Sequence, residues 1–123
     1  MKLKPDLIRD ILLFAESLDY QETVSNKDIF TSPFLNKYKP EEIAYAVDRL
    51  GPNEAGFING GTRSNGYTIS ILSLRYKGHQ YLDDIRDDGI WKDTKSKISV
   101  LASVSVPVIQ EVAKAITLKK LGF

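Results

Sequence analysis

The chain has 123 residues, 17 basic and 16 acidic, with one histidine, no cysteine and a formal net charge of +1. That length suits one ordinary domain rather than two independent cores. The 42% hydrophobic content suffices for a core and excludes disordered, collagen-like and disulfide-built classes. No apolar run reaches the roughly 18 residues of a membrane span, and Met1-Lys2-Leu3-Lys4 leads into a charged amphipathic segment, so a cytoplasmic protein with no membrane partner is expected.

The first predicted element is a helix over 5–18. Leu7, Ile8, Ile11, Leu12, Phe14, Ala15 and Leu18 recur at three- and four-residue spacings, Pro5 suits the first helical position and Asp6 complements the helix dipole. Residues 19–38 combine a β-like run at 21–24 with polar punctuation and Ser32-Pro33, which predicts a short strand followed by a short helix or turn. A third segment opens with Pro40-Glu41-Glu42, carries Ile43, Ala46, Val47 and Leu50 on one face, and is stopped by Gly51-Pro52.

Ala55-Gly56-Phe57-Ile58-Asn59, a glycine-rich tip and the β-prone run 67–76 predict an antiparallel hairpin turning at Asn65-Gly66. In the second strand the apolar set moves from Tyr67, Ile69 and Ile71 to Leu72, Leu74 and Tyr76. That change of face predicts a bulge near Ile71. A helix over 79–88, with Tyr81, Leu82 and Ile85 inward, gives way at Asp88-Gly89 to an amphipathic segment from Ile90-Trp91 to about residue 98. A last helix over 105–121 ends in Lys119-Lys120 and Gly122. No internal repeat or linker interrupts the order.

Ala55-Gly56-Phe57-Ile58 leading into the hairpin and Leu74-Arg75-Tyr76-Lys77-Gly78-His79-Gln80-Tyr81-Leu82 closing it resemble a winged helix-turn-helix domain. Arg75 stands where the post-wing pattern usually has threonine, and Tyr81 where it has phenylalanine. Gly51-Pro52-Asn53-Glu54 also intervene where the third helix usually continues, which predicts its early end. Lys4-Pro5-Asp6-Leu7-Ile8-Arg9-Asp10-Ile11-Leu12, the block from Gly78 through Asp88, Trp91, Thr94-Lys95 and the terminal Lys119-Lys120-Leu121-Gly122 further resemble the DUF2513 proteins of bacteria and phages. The resemblance implies a bacterial or prophage setting and brings no activity, cofactor or catalytic residue. The fold expected is α+β: a winged helix-turn-helix core over 1–88 and a C-terminal helical extension over 89–123, in a single domain.

In a DNA-reading winged helix the exposed face of the third helix enters the major groove. At about 100° per residue, Glu41, Glu42, Tyr45, Asp48 and Arg49 are expected to point outward, so that face is more anionic than cationic. Charge along the chain agrees: residues 1–60 hold 7 bases and 10 acids, residues 61–99 hold 7 and 5, and residues 100–123 hold 3 and 1. Carboxylates pushed toward phosphates add repulsion and release no counterions. Tyr45 and Arg49, both residue types enriched at interface hot spots, are therefore expected to serve a protein partner, unless the face is simply a solvated exterior. The competing reading is a dimeric DNA-binding transcriptional regulator, with Arg63, Ser64 and Asn65 at the wing tip, Arg75 and Lys77 on phosphates and Arg49 toward bases.

Asp83 with Asp87, and Asp84 with Asp88, sit at i, i+4 spacing and could present paired carboxylates to a divalent cation, but Arg86 lies among them and a solvated exterior with Asp87 or Asp88 capping the next helix is favoured. His79 has no cysteine or second histidine to share a metal and no nucleophile motif beside it, so a structural hydrogen bond at a helix start is expected. Gly60-Gly61 and Asn65-Gly66 lack the Lys-Ser/Thr pair of a phosphate loop. Trp91 reads as core or as an anchor for a partner. The final segment is apolar over more than one stripe, which calls for burial on two sides, either within the chain or against a second copy. A homodimer through Val108, Ile109, Val112 and Ile116 is expected. The sequence thus predicts a non-enzymatic regulatory or interaction protein without a cofactor, binding a protein in preference to DNA.

Overall fold

A computed structural model describes residues 1–63 and 68–123. Among them are six helices and two strands, a mixed α+β fold: α1 (Pro5–Ser17), α2 (Asn26–Thr31), α3 (Pro40–Leu50), β1 (Ile58–Thr62), β2 (Ile69–Leu74), α4 (Tyr76–Ile85), α5 (Asp88–Ile98) and α6 (Val106–Lys120). No described helix is long and apolar enough to cross a membrane. The chain forms two compact units, Met1–His79 and Gln80–Phe123, with the division inside α4.

In the first unit α1 buries Leu7, Ile8, Ile11, Leu12, Phe14 and Ala15, the stripe its periodicity predicts. The β-like run at 21–24 forms no strand. Glu22 closes a turn through its N–H to the Asp19 carbonyl, and Ser25 and Asp28 build a reciprocal capping box that starts α2 instead. The chain then turns through Ser32-Pro33, burying Leu35 completely. α3 begins at Pro40 and ends at Leu50, where Gly51 stops it, and it buries Ile43, Ala46, Val47 and Leu50.

β1 and β2 pair antiparallel, with Ile58 opposite Leu74 and Thr62 opposite Ile69. Asn59 faces Ser73 but Gly60 faces Ile71, so Leu72 is the extra residue of a bulge, displaced onto the exposed side. This is the change of face expected near Ile71. The hairpin packs on α3, and β2 also packs on α1. Asn26 Oδ1 accepts the Ile69 N–H at 2.9 Å, tying the start of α2 to β2. The turn expected at Asn65-Gly66 and the strand position expected for Tyr67 lie outside the described residues.

α4 begins at Tyr76, three residues earlier than the sequence predicts, because the Arg75 carbonyl already accepts the His79 N–H at 3.0 Å. The bond at this helix start therefore comes from the His79 backbone, and its ring is exposed. Gly78 lies so close to the residue before β1 that a Cβ there would stand 2.1 Å from the Phe57 carbonyl oxygen. That same oxygen accepts the Arg75 N–H at 2.8 Å, so the close approach is part of the hairpin's closure.

In the second unit Asp87 caps α5, its carboxylate accepting the Ile90 N–H at 2.9 Å. Trp91 is buried with Ile90, Thr94 and Ile98, as core rather than as an exposed anchor. α6 packs on α5 through Ile109, Ala113 and Ile116, and Lys120 pairs with Asp93 at 3.3 Å.

Gly78→Ala should destabilise the protein by about 1–3 kcal/mol, the usual cost of forcing extra atoms into a packed site. Exposed Lys77→Ala, one residue away, should change stability by less than about 0.5 kcal/mol. Chemical denaturation of the two variants checks this.

Candidate functional site

Helical periodicity alone places Glu42, Tyr45, Asp48 and Arg49 on one free exterior. The structure engages each of them. Asp48 reaches across to β1, where Oδ1 accepts the Thr62 N–H and Oδ2 accepts the Thr62 hydroxyl, both at 2.8 Å. Glu42 forms an ion pair with Lys4 and accepts the Lys39 N–H at 3.2 Å. The Lys4 ammonium, and after it the Lys39 backbone bond, hold the Glu42 carboxyl below its ordinary value of 4.5. Of the three carboxylates expected to repel phosphate, only Glu41 is left exposed without such a bond among the described residues.

Arg49 lies 5.0 Å from the centre of the Tyr45 ring and pairs with Glu54 at 2.6 Å. Its Nε is buried and makes no hydrogen bond among the described residues. Two helix residues and one residue of the α3–β1 connection thus form a single stacked, ion-paired group.

Beyond Glu54 the surface opens into a cleft of about 270 Å³, lined by Pro52, Ala55, Gly56, Arg75, Tyr76 and Lys77 besides Glu54 itself. Gly56 has φ +71°, a left-handed conformation that lets the chain turn out of the connection here. Arg75 is oriented by Asn59, whose Oδ1 accepts from the guanidinium at 3.1 Å while its amide donates to Ser73 Oγ at 2.9 Å. Tyr76 is 77% exposed. Its apolar spacing with Leu72 and Leu74 suggested an inward strand residue, but the early start of α4 turns it out. The fold therefore brings Arg49, Arg75 and Lys77 to one surface through Glu54. Arg63 is exposed at the far end of the hairpin, and Ser64 and Asn65 lie outside the described residues.

The remaining candidates separate. Asp83 pairs with Arg86 at 3.3 Å, Asp84 accepts from Gln110 at 2.8 Å and Asp87 caps α5, so the four aspartates do not converge. Among the described residues no three His, Cys, Asp or Glu side chains gather around a metal-sized space. Ile109 and Ile116, two of the four residues expected to join two chains, are already buried in the chain's own packing. Val112 is half-buried and Val108 is 45% exposed.

The model of a family described as "Hypothetical protein (DUF2513)" matches residues 2–105, from the start of the chain through α5. The chain belongs to the DUF2513 family. An "Uncharacterized protein" of Haemophilus influenzae (strain ATCC 51907 / DSM 11121 / KW20 / Rd) is 33% identical over 119 residues, covering 94% of this chain and 95% of the relative. No solved structure matches the chain.

In this DUF2513 chain the block from Gly78 through Asp88, which carried much of the resemblance, holds the close approach of Gly78 to Phe57 and the Asp87 cap. Both are structural roles. The terminal Lys119-Lys120-Leu121-Gly122 lies beyond the family match. A polar contact that the spacing did not reveal is made by Asp10, buried on α1: it accepts the Tyr38 hydroxyl at 2.6 Å and pairs with Lys37 at 3.1 Å. Burial, and then this bond to a carboxylate, raise the Tyr38 phenol well above its ordinary value of 10.0.

Asp48→Ala should cost about 2–3 kcal/mol, since it removes two hydrogen bonds to a charged acceptor and leaves the Thr62 donors half-buried and unpaired. Urea denaturation measures it. A second expectation concerns acid. Because the folded-state Glu42 carboxyl lies below its unfolded value of 4.5, its contribution is fully present above that value and fades as pH falls through the folded value. Lys4→Ala should flatten the stability-against-pH curve in that window, and an NMR titration should show Glu42 returning upward.

Proposed function

We propose that this chain is a non-enzymatic, winged-helix interaction protein of bacterial or prophage origin, acting in the cytoplasm, and that it binds a partner protein through α3, the α3–β1 connection and the start of α4. The order α1, α2, α3, hairpin, α4 supports the winged helix-turn-helix reading, with β1 and β2 as the wing. The Haemophilus influenzae relative supports the bacterial setting.

The observation that carries the choice of partner is the Tyr45–Arg49–Glu54 group. A guanidinium stacked on a ring and paired with a carboxylate has lost its freedom before binding, which lowers the entropy cost of association. Tyrosine and arginine are also the residue types over-represented at interface hot spots. The same carboxylate pairs with Nη2, one of the donors that a DNA-reading arginine would offer to guanine. The rim of the adjoining cleft carries both signs of charge around an exposed Tyr76 ring, a pattern suited to a protein surface more than to a uniform polyanion.

One observation favours the second reading, a dimeric DNA-binding regulator. Asp48 and Glu42 are held within the fold, so the α3 surface repels phosphate less than its composition suggests, and Arg63 and Lys77 remain exposed.

Retention on non-specific duplex DNA separates the two. The protein reading expects no retention at about 50 mM salt, together with a captured bacterial protein that is lost with Tyr45→Ala and with Arg49→Glu. Retention that falls steeply with added salt and weakens in Arg63→Ala establishes the DNA reading instead. Equal capture by both α3 variants removes the protein reading.

A further inference from the structure

Exposed large apolar side chains concentrate at the end of the chain: Val100, Leu101, Val108, Leu118, Leu121 and Phe123. Three of these belong to α6 or its cap. One face of this helix, Ile109, Ala113 and Ile116, is buried in packing with α5. Away from it, Val108, Glu111, Ala115 and Leu118 follow one another at intervals of three, four and three residues. That spacing makes a second seam along one side of a helix, the pattern by which helices pair. Val108 is 45% and Leu118 50% exposed, and Glu111 and Ala115 between them are exposed as well.

The charges on this face indicate what covers it. Glu111 is near one cation on its own helix, Lys114, at a loose 3.7 Å, and so keeps acceptor capacity. Lys119, exposed two turns further on, makes no ion pair among the described residues. A parallel pair of such helices would set Glu111 beside Glu111 and Lys119 beside Lys119. An antiparallel pair opposes each Glu111 to a Lys119. The register that does so also sets Val112 against Leu118, and Ala115, the smallest side chain of the seam, against itself, where close approach of two helices is easiest. Val112 and Lys119 flank the seam on the side toward α5, so the seam and this edge together contain their own complement, as an isologous interface requires.

We infer that α6 pairs antiparallel with α6 of a second copy of this chain, about a two-fold axis at Ala115. The interface lies within Gln80–Phe123 and does not depend on the function proposed for Met1–His79. It uses the side of α6 that α5 leaves open, so each copy keeps its own core intact.

The absence of natural cysteine makes a direct test available. Under mild oxidation Ala115→Cys should form a disulfide-linked dimer, while Lys92→Cys, exposed on α5 away from this face, should form no such link. Sedimentation equilibrium of the full chain, from about 1 µM to about 1 mM, should show 13.8 kDa monomers giving way to dimers. Leu118→Glu should weaken the dimer at least about tenfold. Glu111→Lys and Lys119→Glu should each weaken it, and the double reversal should restore it. All these positions are exposed, so circular dichroism should show native helix content in every variant. A monomer at every concentration overturns the inference. So does a dimer indifferent to Leu118→Glu, failure of the double reversal to restore it, or a dimer in which Ala115→Cys does not cross-link.

Discussion

The surface of the first unit depends on the reach of one carboxylate. Asp48 leaves the polar side of α3 to accept both the backbone N–H and the hydroxyl of Thr62, and so fastens the last described residue of β1 to the helix. A hairpin of two strands has little independent stability in water and needs a neighbour to pack on. Here the neighbour is α3, and the polar end of that contact is this pair of bonds. The hairpin's position then sets the approach of Phe57 to Gly78, the start of α4 at Tyr76 and the orientation of Arg75 by Asn59.

The same bonds change the electrostatics of the exposed side. Asp48 keeps its full charge but is turned onto Thr62 instead of standing out from the helix, whereas Glu42 is offset by the Lys4 ammonium. Besides the exposed Glu41, the surface keeps a stacked tyrosine and arginine, an ion pair with Glu54 and a cleft lined by Glu54 together with Arg75 and Lys77. Counting acids and bases on a helical wheel misjudges such a face, because a wheel records the direction of a Cβ and not where the charged end of the side chain comes to rest.

The second unit answers a different problem, a helix too apolar for one partner. α5 covers a single stripe of α6, and Lys120 with Asp93 closes one edge of that contact. The other apolar positions are left at the surface, interleaved with Glu111 and Lys119. Burying large aliphatic groups is worth on the order of 1.5–3 kcal/mol each. A face of this kind therefore carries a standing drive toward association, whichever surface meets it.

Spacing along the chain was enough to locate α1, α3, the two strands of the hairpin, an irregularity near Ile71 and a capping aspartate at Asp87 or Asp88, because each follows from local geometry. Helix and strand periods sort apolar from polar positions, a change of face within a strand forces an irregularity, and a capping carboxylate bonds an N–H three residues on. It was not enough to find Asp10 bound to Tyr38, Asp48 bound to Thr62 or Asn26 bound to Ile69. These join residues 28, 14 and 43 positions apart, and no period links them. The failed strand at 21–24 and the outward turn of Tyr76 have the same origin: β-propensity there yielded to the Asp19–Glu22 turn, with Gln21 at φ +61°, in one case and to the first turn of α4 in the other. Periodicity determined which surfaces are apolar. Only the folded chain decided how the polar groups were spent, since a long polar side chain selects its partner by distance in space.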